Sequence, residues 1–148
     1  MMWLSMIILV VLDQVTKVMA AANGGVHIEV IPGFFYLNYL ENTGAAWSMF
    51  AGRTGILTLV SAFAAGLMLW YLLTKKPDRW TKAALVLMIA GAAGNFIDRL
   101  VLGYVRDFMD FYIFGYDFPV FNVADMALTI GVIILILAAL TGDRKAHA

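Results

Sequence analysis

Two acids in the last third of the chain could do chemistry together: Asp107, in Val105-Arg106-Asp107-Phe108, and Asp125, in Asn122-Val123-Ala124-Asp125. Carboxyls brought close together cannot both ionise cheaply, so such a pair shares one proton. It then offers a base for an attacking water and an acid for a carbonyl oxygen and later a leaving amine. Each acid also has a plainer reading. Asn122 followed three residues later by Asp125 has the form of a helix cap, and the helix dipole favours an acid in a first turn. Asp107 on its own could be a wetted carboxylate among aromatic neighbours. Asp110 competes with it, but in an extended run the two face opposite sides, so at most one enters a shared site.

Other hydrolytic chemistry is poorly supplied. Ser5, Ser48 and Ser61 are the only serines, none in a Gly-x-Ser-x-Gly elbow, and the histidines are His27 and His147. A Ser–His pair is therefore implausible. No His-Glu-x-x-His is present and no cysteine, which removes the usual zinc protease, thiolate metal sites and Cys nucleophiles.

The elements that must hold the acids are membrane helices. Of the 148 residues 63% are hydrophobic and 14% charged, which no ordinary soluble surface allows. Four stretches, about 1–21, 55–73, 83–102 and 122–140, are long and apolar enough to span a bilayer. The first ends in Ala20 to Ala22, like a signal-peptide cleavage site, yet it lacks a basic start and carries Asp13 and Lys17, so it reads as a retained helix. Lys75, Lys76, Arg79 and Lys82 lie between helices two and three, and Arg144 and Lys145 follow helix four. The outward segments 22–54 and 103–121 hold only Arg53 and Arg106. The positive-inside rule then places both termini in the cytoplasm. With zero net charge and no basic run longer than two residues, a nucleic-acid footprint is missing.

The outward segments are aromatic, with Phe34, Phe35, Tyr36, Tyr39 and Trp47 in one and Phe108, Phe111, Tyr112, Phe114 and Tyr116 in the other. Such rings favour the headgroup level. Val26 to Val30 and Phe34 to Leu40, separated by Ile31, Pro32 and Gly33, read as a small hairpin. The expected fold is an all-α membrane protein of four transmembrane helices with a small extracytoplasmic β element and an aromatic outer loop, the chain 1–148 forming one domain.

Ionisable groups in a membrane helix cost about 2.5–3.5 kcal/mol near its centre, so each needs an account. Asp13 and Lys17 share a helical face, either as an ion pair with Lys17 snorkelling outward or as part of a site. Asn95, Asp98 and Arg99 form one stripe after the small residues Ala90 to Gly94, which let another helix approach closely. That stripe is either interhelical glue or part of a site. With the polar groups gathered at one end of the helices, a protease is favoured over a small ion- or proton-coupled carrier, whose sites lie near the midplane, and over a non-catalytic assembly subunit.

Five segments in order resemble the motifs of bacterial lipoprotein signal peptidases (type II signal peptidases). They are Asp13-Gln14-Val15-Thr16-Lys17, Asn42-Thr43-Gly44-Ala45-Ala46-Trp47, Gly94-Asn95-Phe96-Ile97-Asp98-Arg99, Val105-Arg106-Asp107-Phe108 and Phe121-Asn122-Val123-Ala124-Asp125. The resemblance implies an aspartic endopeptidase that cuts on the N-terminal side of a diacylglyceryl-modified cysteine in a prolipoprotein, at the outer face of the bacterial cytoplasmic membrane. It makes Asp107 and Asp125 the catalytic dyad and Asp110 a bystander. Asp13, Lys17, Asn42, Gly44, Asn95, Asp98, Arg99 and Asn122 are then expected to bind substrate or support the dyad. It further implies no metal or organic cofactor, a monomer among membrane lipids, and inhibition by the cyclic peptide globomycin. Arg106 departs from the family pattern, which commonly has a small apolar residue there. Because a cation beside Asp107 would lower its pKa, Arg106 is expected to face away, toward lipid headgroups.

Overall fold

A computed structural model of the chain describes residues 2–24, 27–44 and 52–146. Val26 of the expected hairpin and Ala45, Ala46 and Trp47 lie outside the described residues. The element order is α1 (Met2–Ala22), β1 (Ile28–Ile31), β2 (Phe35–Asn42), α2 (Thr54–Thr74), α3 (Arg79–Leu102), β3 (Val105–Ile113), β4 (Tyr116–Phe121) and α4 (Val123–Ala146). All four helices are long and apolar enough to cross a membrane, α4 over Val123–Thr141. At about 1.5 Å per residue, they match a hydrocarbon core about 30 Å thick.

The bundle is apolar outside and polar within. Leu59, Phe63, Leu100 and Val101 are among many large apolar side chains turned outward. Asp13, Lys17, Asn95 and Asp98 are buried. Helix α3 is the hub, packing against α1, α2 and α4. Its glycines set that closeness: a Cβ on Gly91 would overlap the Ala124 carbonyl and come within 2.9 Å of Leu128 Cγ, and one on Gly94 would overlap Asp13 Oδ2. Helices α2 and α4 both lean on α3 and hardly touch each other. An apolar cluster of Met6, Leu72, Leu85, Ile89 and Ala90 joins α1, α2 and α3.

Helix α3 starts earlier than its hydropathy suggests, because Asp78 caps it by accepting from the N–H groups of Trp80 (2.8 Å) and Thr81 (3.2 Å). It ends at Gly103 in the left-handed conformation, φ 82°, and the chain enters β3 two residues later.

Segment 103–121 is more ordered than an aromatic loop. Strands β3 and β4 form an antiparallel hairpin around Phe114 and Gly115, both at positive φ (51° and 82°), and β3 pairs with β2. The result is one antiparallel sheet in the order β1-β2-β3-β4, twice the expected β element. Composition hid this, since an aromatic run serves equally as an interfacial loop or a strand. Phe35, Phe111 and Phe121 stack across three strands, with centroids 4.5 and 5.6 Å apart, and Phe118 meets Phe121 edge-on.

Candidate active site

Asp107 and Asp125 both line one cavity of about 830 Å³ between α2, α3, α4 and the sheet. Asp125 sits in the first turn of α4, and its cap geometry is real: its N–H donates to Asn122 Oδ1 (3.0 Å) while the Asn122 N–H donates to Asp125 Oδ2 (3.2 Å). This reciprocal pair is a capping box. It leaves Asp125 Oδ1 facing Asn95, whose Nδ2 donates to it at 2.7 Å.

Asp107 arrives from β3, buried, with Asn122 Nδ2 donating to Oδ1 (2.6 Å) and Asn42 Nδ2 to Oδ2 (2.9 Å). Asn122 therefore touches both acids, one through its side chain and the other through its backbone. Asn42 reaches Asp107 because of an irregularity in β2. Leu37 pairs with Met109 and Leu40 with Asp107, so two residues of β2 oppose one of β3 between them. Without that bulge Asn42 would point to the other face of the sheet.

Burial pushes the Asp107 carboxyl up from 3.8 to about 7, the nearby Asp125 charge pushes the same way, and the amides of Asn42 and Asn122 oppose both. A carboxyl with this pKa exchanges a proton near neutrality, as a general acid or base must.

The expected supporting residues converge behind the two acids. Lys17 Nζ lies 2.9 Å from Asp13 Oδ2, 2.8 Å from Asn95 Oδ1 and 3.5 Å from Asp98 Oδ2. The ion pair with Asp13 is present, but Lys17 is wholly buried rather than snorkelling outward, because three acceptors await it inside the bundle. Asp13 Oδ1 also accepts the backbone N–H of Ala124 (2.9 Å), so α1 helps cap α4 one residue before Asp125. Gly44 lies near the site through its carbonyl, which accepts from Arg99 Nη2 at 3.1 Å, and its N–H donates to Asn42 Oδ1 at 2.9 Å. Arg99 lines the cavity with the two acids, and its Nε is buried without a hydrogen-bond partner.

Asp110 stands apart. It is buried, not wet, and accepts from Asn38 Nδ2 at 3.1 Å, away from the residues that line the cavity.

Arg106 corrects an expectation. It does face away from Asp107, but into the protein: Nη2 lies 2.7 Å from Asp98 Oδ1, Nε donates to Asp98 Oδ2 (3.1 Å), and Nη2 donates to Gln14 Oε1 (2.9 Å). An arginine fork fits a carboxylate two-pronged, and a buried Asp98 offers more than screened headgroups do. The hydrogen bond to Asp98 holds the Arg106 pKa above its ordinary value. Gln14 was likewise missed as a participant, for it donates to Asp13 Oδ2, the Gly94 carbonyl and Asp98 Oδ1, each at 3.1 Å. Only its place beside Asp13 in a polar run hinted at this. Among the described residues, no group of three or more His, Cys, Asp or Glu side chains is placed to hold a metal ion.

Comparison with known proteins decides the family. The family described as signal peptidase (SPase) II matches residues 5–141. The chain belongs to the signal peptidase II family. It is accordingly a membrane-embedded hydrolase, which sets aside the carrier and assembly-subunit readings. Among similar signal peptidase II relatives, the lipoprotein signal peptidase of Staphylococcus haemolyticus (strain JCSC1435) is 48% identical over 139 residues, covering 90% of this chain and 87% of that one. That of Staphylococcus carnosus (strain TM300) is 43% identical over 142 residues, covering 94% and 89%. A bacterial membrane enzyme solved by the in meso method at 2.3 Å resolution has 39% identity and a TM-score of 0.89, covering 95% of this chain and 87% of the other. A second, solved at 1.9 Å, gives 39% and 0.85, covering 94% and 92%.

Proposed function

We propose that this signal peptidase II hydrolyses the signal peptide from diacylglyceryl-modified prolipoproteins, on the N-terminal side of the lipidated cysteine, with Asp107 and Asp125 as its catalytic dyad. The observation that carries this reading is Asn122, which holds Asp107 by its side chain and Asp125 by its backbone, so that both acids line one cavity. Charge balance supports a single shared proton. The polar cluster, buried or half-buried, has four acids, Asp13, Asp98, Asp107 and Asp125, and three bases, Lys17, Arg99 and Arg106. One proton on the dyad makes the set neutral, which a low-dielectric site favours.

In the mechanism one acid of the pair carries that proton and the other is the carboxylate; we assign the proton to Asp107, whose pKa of about 7 suits an acid working near neutrality, and the base role to Asp125. Asp125 takes a proton from water as its oxygen attacks the scissile carbonyl carbon. Asp107 donates its proton to the carbonyl oxygen. Collapse of the tetrahedral adduct expels the amine of the lipidated cysteine, which receives the proton held by Asp125, while Asp107 recovers its own from the adduct hydroxyl. The apolar lining from Leu57, Val60, Ala64, Met68 and Phe121 suits signal-peptide side chains and acyl chains. Arg99 and Asn42, beside the dyad, suit the substrate's ester and backbone carbonyls.

The whole chain acts as one membrane domain and as a monomer. Both termini lie in the cytoplasm and the site at the outer face, supported by the clustering of Lys75, Lys76, Arg79 and Lys82 in and near the connection between α2 and α3. Globomycin competes for the dyad. The test is cleavage of a lipid-modified precursor by purified enzyme. Asp107→Asn and Asp125→Asn each abolish turnover while the protein stays folded, and near-wild-type cleavage by either variant overturns the dyad.

A further inference from the structure

We propose that Arg106 is a positioning residue for both aspartates, acting on Asp125 through Asp98, Lys17 and Asn95 and on Asp107 through the strand they share. This rests on the dyad reading above. Arg106 satisfies Asp98 from three atoms. Its backbone N–H donates to Oδ2 (3.0 Å), its Nε to the same oxygen (3.1 Å) and its Nη2 to Oδ1 (2.7 Å), where Gln14 Nε2 also donates (3.1 Å). Asp98 is thus fully engaged without Lys17, whose Nζ stands off at 3.5 Å.

The spared ammonium goes elsewhere. Lys17 donates to Asn95 Oδ1 at 2.8 Å, and Asn122 Nδ2 donates to the same oxygen at 3.2 Å. Two donors on Oδ1 fix which way the Asn95 amide points, so its Nδ2 is delivered to Asp125 Oδ1 at 2.7 Å. The second arm is shorter. The Arg106 carbonyl accepts from Asn122 Nδ2 at 3.4 Å, and that same nitrogen holds Asp107 Oδ1. Clamping residue 106 to α3 also fixes the strand next to the catalytic position.

Without the guanidinium, Asp98 is a buried carboxylate whose nearest remaining cation is Lys17. Buried charges do not stay unpaired, so Lys17 closes on Asp98 and leaves Asn95. The Asn95 amide is then free to turn, and Asp125 loses its fixed donor. The misplacement is small, but positioning errors of this size slow chemistry without weakening substrate binding.

The experiment measures kcat and KM of purified enzyme on a lipid-modified precursor, with thermal unfolding to give the folded fraction. For Arg106→Met, kcat per folded molecule falls about tenfold with KM within about twofold of wild type. Arg106→Lys, which keeps a cation on Asp98, recovers most of the loss. Arg106→Met with Asp98→Asn recovers part of it, because a neutral amide no longer draws Lys17 away. The proposal is overturned if Arg106→Met keeps wild-type kcat, if its loss equals the loss of folded protein, or if the double variant is no faster than the single. Should Arg106→Met not fold, Arg106→Gln replaces it, and equal kcat for the Gln and Lys variants overturns the proposal. Asp107→Asn and Asp125→Asn run alongside. Activity in those two removes the dyad itself, whereas their inactivity beside an unaffected Arg106→Met removes only the role of Arg106.

Discussion

Replacing Asp107 by Asn gives the site a pH-dependent signature that can be worked out in advance. The carboxyl is at 3.8 in an unfolded chain and about 7 in the folded one. Between those values the folded state binds more protons than the unfolded state, so the stabilisation from this group is complete below pH 4 and disappears as pH rises through about 7. At about 1.4 kcal/mol per pH unit, the interval from 3.8 to about 7 amounts to an upper bound of about 4 kcal/mol. Asparagine has no such titration. It also loses a hydrogen bond, since Asn42 and Asn122 both present N–H groups to residue 107, at a cost of about 1–3 kcal/mol that does not vary with pH. The stability difference between variant and wild type, followed from pH 4 to pH 9, isolates the titration from that constant penalty. Wild type is the more stable form at pH 4, and the variant gains on it by up to about 4 kcal/mol as pH approaches 9. Thermal unfolding of the two purified proteins across this range reads the effect directly. Cleavage by wild type declines as pH rises above about 7, where the acid of the pair loses its proton. Parallel stability curves would refute a buried, proton-holding Asp107.

Asp110→Asn keeps most of its cleavage activity, because Asp110 bonds Asn38 and does not line the cavity; a dead but folded variant, assayed on lipid-modified precursor, contradicts this. Gly91→Ala destabilises the bundle by roughly 1–3 kcal/mol, since the added methyl meets the Ala124 carbonyl and Leu128 of α4. Unfolding at a wild-type temperature would show that α3 and α4 sit further apart than described here.

The helices were legible because a span needs only length and apolarity, and the small residues Ala90 to Gly94 announced a close helix neighbour without saying which, for Gly91 meets α4 and Gly94 meets Asp13 of α1. That Asp107 and Asp125 belong to one place was legible because few other residues offer hydrolytic chemistry, and both do line one cavity. What stayed hidden depends on contacts between distant segments. Strand pairing of β2 with β3 turns on a register that alternating aromatics do not specify, and the bulge that aims Asn42 at Asp107 leaves no mark in composition. The sequence points Arg106 toward headgroups because its partner, Asp98, belongs to the preceding helix and shows there only as part of a stripe with Asn95 and Arg99. Lys17 was open to two readings for the same reason, as its acceptors on α3 become visible only when α1 and α3 are packed.

Among the described residues, α2 and α4 hardly touch, so neither closes the cavity they both line against the other. With the four helices spanning a bilayer, lipid tails would face that side, next to Leu57 and Met126, which line the cavity. On the function proposed above, a precursor anchored by its acyl chains would enter sideways without crossing water. By the same token, a surfactant used for purification is itself a rival occupant, and its tail length becomes a kinetic variable rather than an inert choice of solvent.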